Sequence, residues 1–377
     1  MRRTILAAMT ISALVSGAAS AAPAPARPEE PQLGSILKQA QKIRGMIITE
    51  ADEIRIGQGV SEKVRARYGV VQDPAVHRYV TLVGAVLAMS SSRPNLPWTF
   101  VVLDTDGVNA FAVPGGIIHI TRGALGLLDS EAELAGVLAH EITHVTEKHT
   151  VKAIQEGKMV EFGADATLGD KSVFNKVVDK ATEAVMAGFG RKEELEADRG
   201  GVRLANQVGY APQGLENFLR RLSDRNKSAS EKQGLFASHP EMKERLDLLA
   251  KQVAAEKLAS AATLEPRYHK FITYKPKAQT EIAGVQAGSA GLTGGGGKTD
   301  PPADAKKDEQ PKKKGFGLGS LVKPSGSESK SAEVTGSGAS RGVDTERNAK
   351  GGSNPTLVVV KVNVGDINEF KKEGNLK

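Results

Sequence analysis

Cysteine is absent from all 377 residues, which excludes disulfides and an N-terminal lipid attached through a cysteine. Aromatic residues are scarce, at 4% of the chain, and no recognised binding motif interleaves them with the basic residues. Both points argue against nucleic-acid binding. Long apolar runs are missing as well: the stretch at residues 5–15 is too short to span a bilayer comfortably. No helical repeat is recognisable in the second half of the chain. The formal charge of +7 and the pI near 9.3 suit attraction to anionic membrane surfaces or acidic partners, so peripheral membrane contact is one expectation. Solvated Lys and Arg on helices and tail account for the same charge without any partner.

What is present begins with residues 1–21, where Arg2 and Arg3 precede an apolar run and then small residues ending at Ala19-Ser20-Ala21. This is the pattern of a secretory signal cleaved before Ala22, so the mature protein is expected in the periplasm or secreted. A Pro- and Ala-rich leader occupies 22–34, and 35–274 reads as one domain. Within it, 33–98 looks like scaffold helices broken at Gly57, Gly59 and Asp73-Pro74. Residues 99–103, 108–113 and 117–121 read as short strands of a small antiparallel sheet, with turns at 104–107 and Pro114-Gly115-Gly116. An edge strand at 109–112 could hold an extended peptide by main-chain hydrogen bonds, or simply belong to the core.

The chain's centre of chemistry is Leu138-Ala139-His140-Glu141-Ile142-Thr143-His144-Val145. On a helix, His140 and His144 share one face and can reach one zinc ion, while Glu141 sits roughly 100° round and can touch a zinc-bound water. Leu134, Val137, Leu138, Ile142 and Val145 follow helical spacing, and Ser130 with Glu133 forms a capping box beside Asp129, so a helix is expected at about 130–149. Residues 152–190 read as one or two helices with a hinge near 163–169, either a lid or plain packing. A carboxylate-rich run follows from Arg191 to Arg199. Such runs are usually solvated faces, yet a zinc held by two histidines needs a third protein ligand, and a Glu on a following helix is a common source. Glu194 and Asp198, spaced i and i+4, allow Glu194 to bind the metal while Asp198 orients a ligating histidine. Glu193 and Glu196 are expected to point elsewhere. His77 reads as structural or exposed, His119 as structural, and His149 and His269 as exposed.

Taken together, the H-E-x-x-H of 140–144, Glu194 with Asp198, the upstream Asn109-Ala110-Phe111-Ala112-Val113-Pro114-Gly115-Gly116, and Ser238-His239-Pro240 with Arg245 resemble the zinc metallopeptidase family of the CAAX prenyl protease and HtpX. The likeness covers about 57–249 and is greatest to soluble bacterial envelope members. It implies an α+β, mainly helical, gluzincin-type fold with a small antiparallel sheet. It also implies one zinc per chain on His140, His144 and Glu194, with Glu141 as catalytic acid/base and Asp198 behind a ligand. Expected partners are protein or peptide substrates in the cell envelope, with no nucleic acid. The chain departs from the family in lacking the membrane helices of the prenyl protease and HtpX branches and the helical-repeat docking module of the assembly-enhancing branch.

His239 and Arg245 are candidates to stabilise the oxyanion of a tetrahedral intermediate. His239 could instead fill the open zinc position in a resting state, or merely start a helix. Residues 275–354, rich in Gly, Ser and Lys, read as a disordered linker. Beyond it, 356–364 reads as a strand and 366–372 as a short helix, docked on the catalytic sheet, on a partner, or in the groove as a pseudo-substrate. The expected activity is zinc-dependent endopeptidase action in envelope quality control. A zinc-stabilised chaperone that binds polypeptides without cutting them is the alternative, and a self-processing protein whose tail is its only substrate a lesser one.

Overall fold

A computed structural model describes residues 48–161, 168–226, 242–277, 283–285, 341–343 and 354–377. The expected signal and leader, the region around 163–167, most of the expected linker, and Ser238-His239-Pro240 lie outside these residues.

Local signals start the first two helices. α1 (Glu50–Tyr68) opens on a capping box between Thr49 and Asp52 and ends at Gly69, whose φ of 69° terminates it. α2 (Pro74–Met89) has Pro74 in its first turn and the Asp73 carboxylate accepting from the Ala75 and Val76 N–H groups. Three strands follow, β1 (Thr99–Leu103), β2 (Ala110–Val113) and β3 (Ile117–Thr121), in the order β1-β3-β2. β2 and β3 form an antiparallel hairpin, but β1 runs parallel to β3. The sheet is therefore mixed rather than antiparallel. The chain leaving β1 skips over to the far edge before turning back through Pro114-Gly115-Gly116, so the middle position goes to β3, and strand order of this kind leaves no trace in local sequence.

Next come α3 (Arg122–Leu127), α4 (Glu131–Thr146), α5 (His149–Glu161), α6 (Lys171–Ala187), α7 (Arg191–Gln207), α8 (Gly214–Asn226), α9 (Met242–Ala255) and α10 (Glu265–Phe271). The sheet alternates between two cores. Phe100, Val102, Ala110, Ala112, Ile118 and Ile120 join the core built with α2 and α4, while Val101, Leu103, Phe111 and Val113 join that of α1 and α6. The mainly helical α+β class read from the sequence is what the protein adopts.

β4 (Ala283–Val285) and β5 (Arg341–Val343) pair antiparallel with each other. The expected strand at 356–364 is not one. Residues 354–363 have no regular secondary structure and are held by side chains and turn backbone: Arg65 Nη1 donates to the Pro355 carbonyl at 2.6 Å, Gln72 Nε2 to Thr356 O at 3.1 Å, and the Val70 N–H to Asn354 O at 2.7 Å. α11 (Val364–Glu373) then starts on an Asn363–Asp366 capping box and buries Ile367 and Phe370. The Phe370 ring lies 6.2 Å from that of Tyr79 and 3.9 Å from the Arg267 guanidinium. Arg267 and Tyr79 also converge on Glu131, the first residue of α4, with Tyr210 completing the cluster at 2.8 Å. The tail thus rests on α2, α10 and the end of α1 with the turn after it, and adds no strand to the sheet.

Candidate metal centre

The expected helix over 130–149 is shorter than its periodicity suggests. α4 starts where read, with Ser130 Oγ accepting from the Glu133 N–H at 3.2 Å and Glu133 Oε2 accepting from the Asp129 N–H at 2.9 Å. It stops at Thr146, because Lys148 adopts a left-handed φ of 58°, and α5 begins at His149. On an unbroken helix His149 would point roughly 140° away from His144. The break turns it back, so that His149 is buried rather than exposed, at 3%. Its Nδ1 lies 2.8 Å from His144 Nδ1. His269 is exposed, as read from the sequence, beside Asp129, and His77 and His119 are buried on Val71 O and Ser61 Oγ.

α7 packs across α4 at glycine: a Cβ on Gly201 would meet the His140 backbone nitrogen at 2.8 Å. That close approach brings Glu194 to the two histidines. His140 Nε2 lies 3.0 Å from His144 Nε2 and 3.6 Å from Glu194 Oε2, and His144 Nε2 lies 3.4 Å from Glu194 Oε1. A tetrahedron of zinc–ligand bonds has edges of about 3.3 Å, and the three side chains, with one or other Glu194 oxygen facing each histidine, are spaced on the scale such an ion requires. Among the described residues these three form the one buried group able to hold a metal. Glu141, also buried, follows directly on the same helix.

Through its other ring nitrogen, Nδ1, His140 lies 2.9 Å from Asp198 Oδ1. Burial opposes charge on His140, but Asp198 and Glu194 beside it hold its pKa above the ordinary imidazole value. Burial likewise works against the Asp198 carboxylate, which Arg245 and His140 nevertheless hold down to about 2. Arg245 is buried, donates from Nε and Nη2 to Asp198 at 2.7 and 2.6 Å, and places Nη1 3.0 Å from Glu194 Oε2. Its guanidinium is committed to the carboxylates of Asp198 and Glu194. The sequence reading missed two neighbours. Phe189 lies between Gly188 and Gly190 and stacks on the His144 ring with centroids 4.2 Å apart. Glu196, read as pointing elsewhere, has Oε2 3.3 Å from His149 Nε2.

The edge strand β2 reaches the same region. Ala112, Val113 and Pro114 line a small cleft with His144, Lys148, Thr150 and Val151. The turn after β2 is anchored by buried Glu53, whose carboxylate accepts from the Gly115 N–H at 3.2 Å and from Arg93 at 2.8 and 2.9 Å, while Arg93 also donates to the Val145 carbonyl.

Residues 74–253 match peptidase family M48. The chain carries an M48 peptidase domain. Similar proteins include the beta-barrel assembly-enhancing protease of Yersinia pestis, 28% identical over 257 residues that cover 64% of this chain and 50% of the relative. That of Escherichia coli K12 is 26% identical over 256 residues, covering 64% and 50%. The mitochondrial metalloendopeptidase OMA1 of Schizosaccharomyces pombe is 28% identical over 200 residues, covering 52% and 59%. The chain spans about half the length of the assembly-enhancing relatives. The M48 match contains both histidines, Glu141, Glu194, Asp198 and Arg245, and bears out the family resemblance seen in the sequence. No described helix is long and apolar enough to cross a membrane.

Proposed function

We propose that the M48 domain is a zinc-dependent endopeptidase acting on misfolded or unassembled proteins of the cell envelope, where residues 1–21 would direct it. The observation that supports it best is the buried His140, His144 and Glu194 group with Glu141 on the same helix. His140, His144 and Glu194 would hold one zinc ion. When bound, zinc supplies a Lewis acid for the scissile carbonyl and lowers the pKa of a water beside it towards about 7.

The chain's own groups then have defined tasks. Glu141 takes a proton from the attacking water and returns it to the leaving amine. Asp198 keeps the Nδ1 proton of His140 in place, so that Nε2 presents its lone pair, and Arg245 keeps Asp198 ionised where burial alone would favour its neutral form. His239 remains a candidate for the oxyanion or for a resting-state plug. β2 at the sheet edge is suited to hold an extended substrate by its backbone.

Zinc content and cleavage of an unfolded protein, compared between the full chain and Glu141→Gln, test this. About one zinc in both forms with cleavage by the parent alone is expected. Zinc in both forms without cleavage by the parent, even after removal of 354–377 and His239→Ala, would favour the zinc-stabilised binder instead.

A further inference from the structure

The two histidines of the metal centre are backed unequally. His140 has a buried carboxylate directly behind it, whereas His144 has another imidazole. A hydrogen bond between two ring nitrogens uses one proton, and which ring supplies it is settled at the far end of the chain of contacts. Glu196 offers His149 Nε2 a carboxylate oxygen at 3.3 Å, and an ionised carboxylate only accepts. His149 Nε2 therefore carries a hydrogen and donates it to Glu196. A neutral His149 then has no hydrogen on Nδ1, which can only accept, so His144 Nδ1–H donates to it across 2.8 Å. The lone pair of His144 falls on Nε2, on the side facing His140 Nε2 and Glu194.

We propose that His149, oriented by Glu196, is the positioning residue for His144: it selects the tautomer and ring orientation that a metal requires. The break at Lys148 serves this arrangement, since it alone returns His149 to the face of His144. Phe189 closes the other side, its ring stacked on His144 and 5.7 Å from His149. Unlike Asp198, the outer member is partly open, with 37% of the Glu196 side chain exposed. The His144 side of the pocket is thus connected through His149 to a part-exposed carboxylate.

The inference rests on the metal-binding part of the reading above, and its test needs no proteolysis. Zinc affinity is measured by competition with a coloured chelator for the full chain, His149→Asn, His149→Leu and Glu196→Ala. Asn can place an acceptor oxygen near the Nδ1 position, while Leu fills similar space without one. Outer partners of this kind change metal affinity by about 10- to 100-fold. His149→Leu is expected to fall in that range, His149→Asn to recover most of the affinity, and Glu196→Ala, at a part-exposed site that tolerates truncation, to lose about 3- to 10-fold. Leu and Asn variants with equal affinity, whether both intact or both weakened, overturn the relay, because packing alone would then explain His149. Parent-like affinity in Glu196→Ala overturns the role of Glu196. A parent that binds no zinc overturns the metal-centre reading itself and this inference with it.

Discussion

Gly201→Ala tests whether the contact between α4 and α7 sets the geometry of the metal centre. The substitution adds one methyl carbon, which would lie 2.8 Å from His140 N, 2.9 Å from His140 Cα and 3.1 Å from Ala139 C. All three are backbone atoms of α4, so no side-chain rotation relieves the contact. Ordinary carbon contacts begin near 3.5 Å, and the helices must separate by roughly 0.6 Å or more. Alanine gains about 1 kcal/mol of helix propensity over glycine, but overpacking a well-filled interface costs about 1–3 kcal/mol. The cost wins, for a net loss near 1 kcal/mol. The larger effect falls on the metal, because Glu194 rides on α7 and both histidines on α4. Zinc sites tolerate about 0.2 Å in ligand position, and we expect at least a tenfold loss of zinc affinity by chelator competition. Gly59→Ala is the control: its methyl would press on the Val178 side chain at 3.0 Å, away from His140, His144 and Glu194, so zinc affinity should be unchanged whatever urea unfolding shows for stability. Parent-like zinc binding in Gly201→Ala would refute the argument that this glycine sets the ligand spacing.

Two further outcomes follow from the packing. Phe370→Ala removes the main buried ring of the tail and should cost about 3 kcal/mol, lowering Tm by roughly 6–12 °C in a domain of this size. Proteolytic cleavage should appear within 354–363, and a Tm unchanged within error would mean that the tail contributes no stability. His119 is buried, and burial with the nearby Arg65 charge lowers its pKa to about 3, whereas an unfolded histidine titrates near 6.5. Between those values the unfolded chain binds a proton that the folded chain does not, so stability falls as pH drops from 6.5 towards 3, by up to about 4 kcal/mol. In His119→Leu that part of the slope should vanish in urea titrations run across the same window. Equal slopes in the two proteins would show that the folded imidazole is charged or exposed.

Features that depend on neighbours along the chain are legible in the amino-acid sequence itself. The spacing of His140 and His144, the Ser130 start of α4, the Asp73-Pro74 start of α2 and the three short strands arise from local periodicity and capping. Glu194 and Asp198 could be nominated because i and i+4 share a helix face, but their meeting with His140 depends on Gly201 letting two helices touch, a contact between residues 61 positions apart (201 − 140). The sheet's order, the left-handed turn at Lys148, and the docking of α11 on Tyr79 and Arg267 are also long-range or conformational outcomes. A repeating pattern shows which face of an element is apolar, and it says nothing about what that face meets. For that reason His149 reads as a surface residue by sequence, and only the tertiary structure places it against His144.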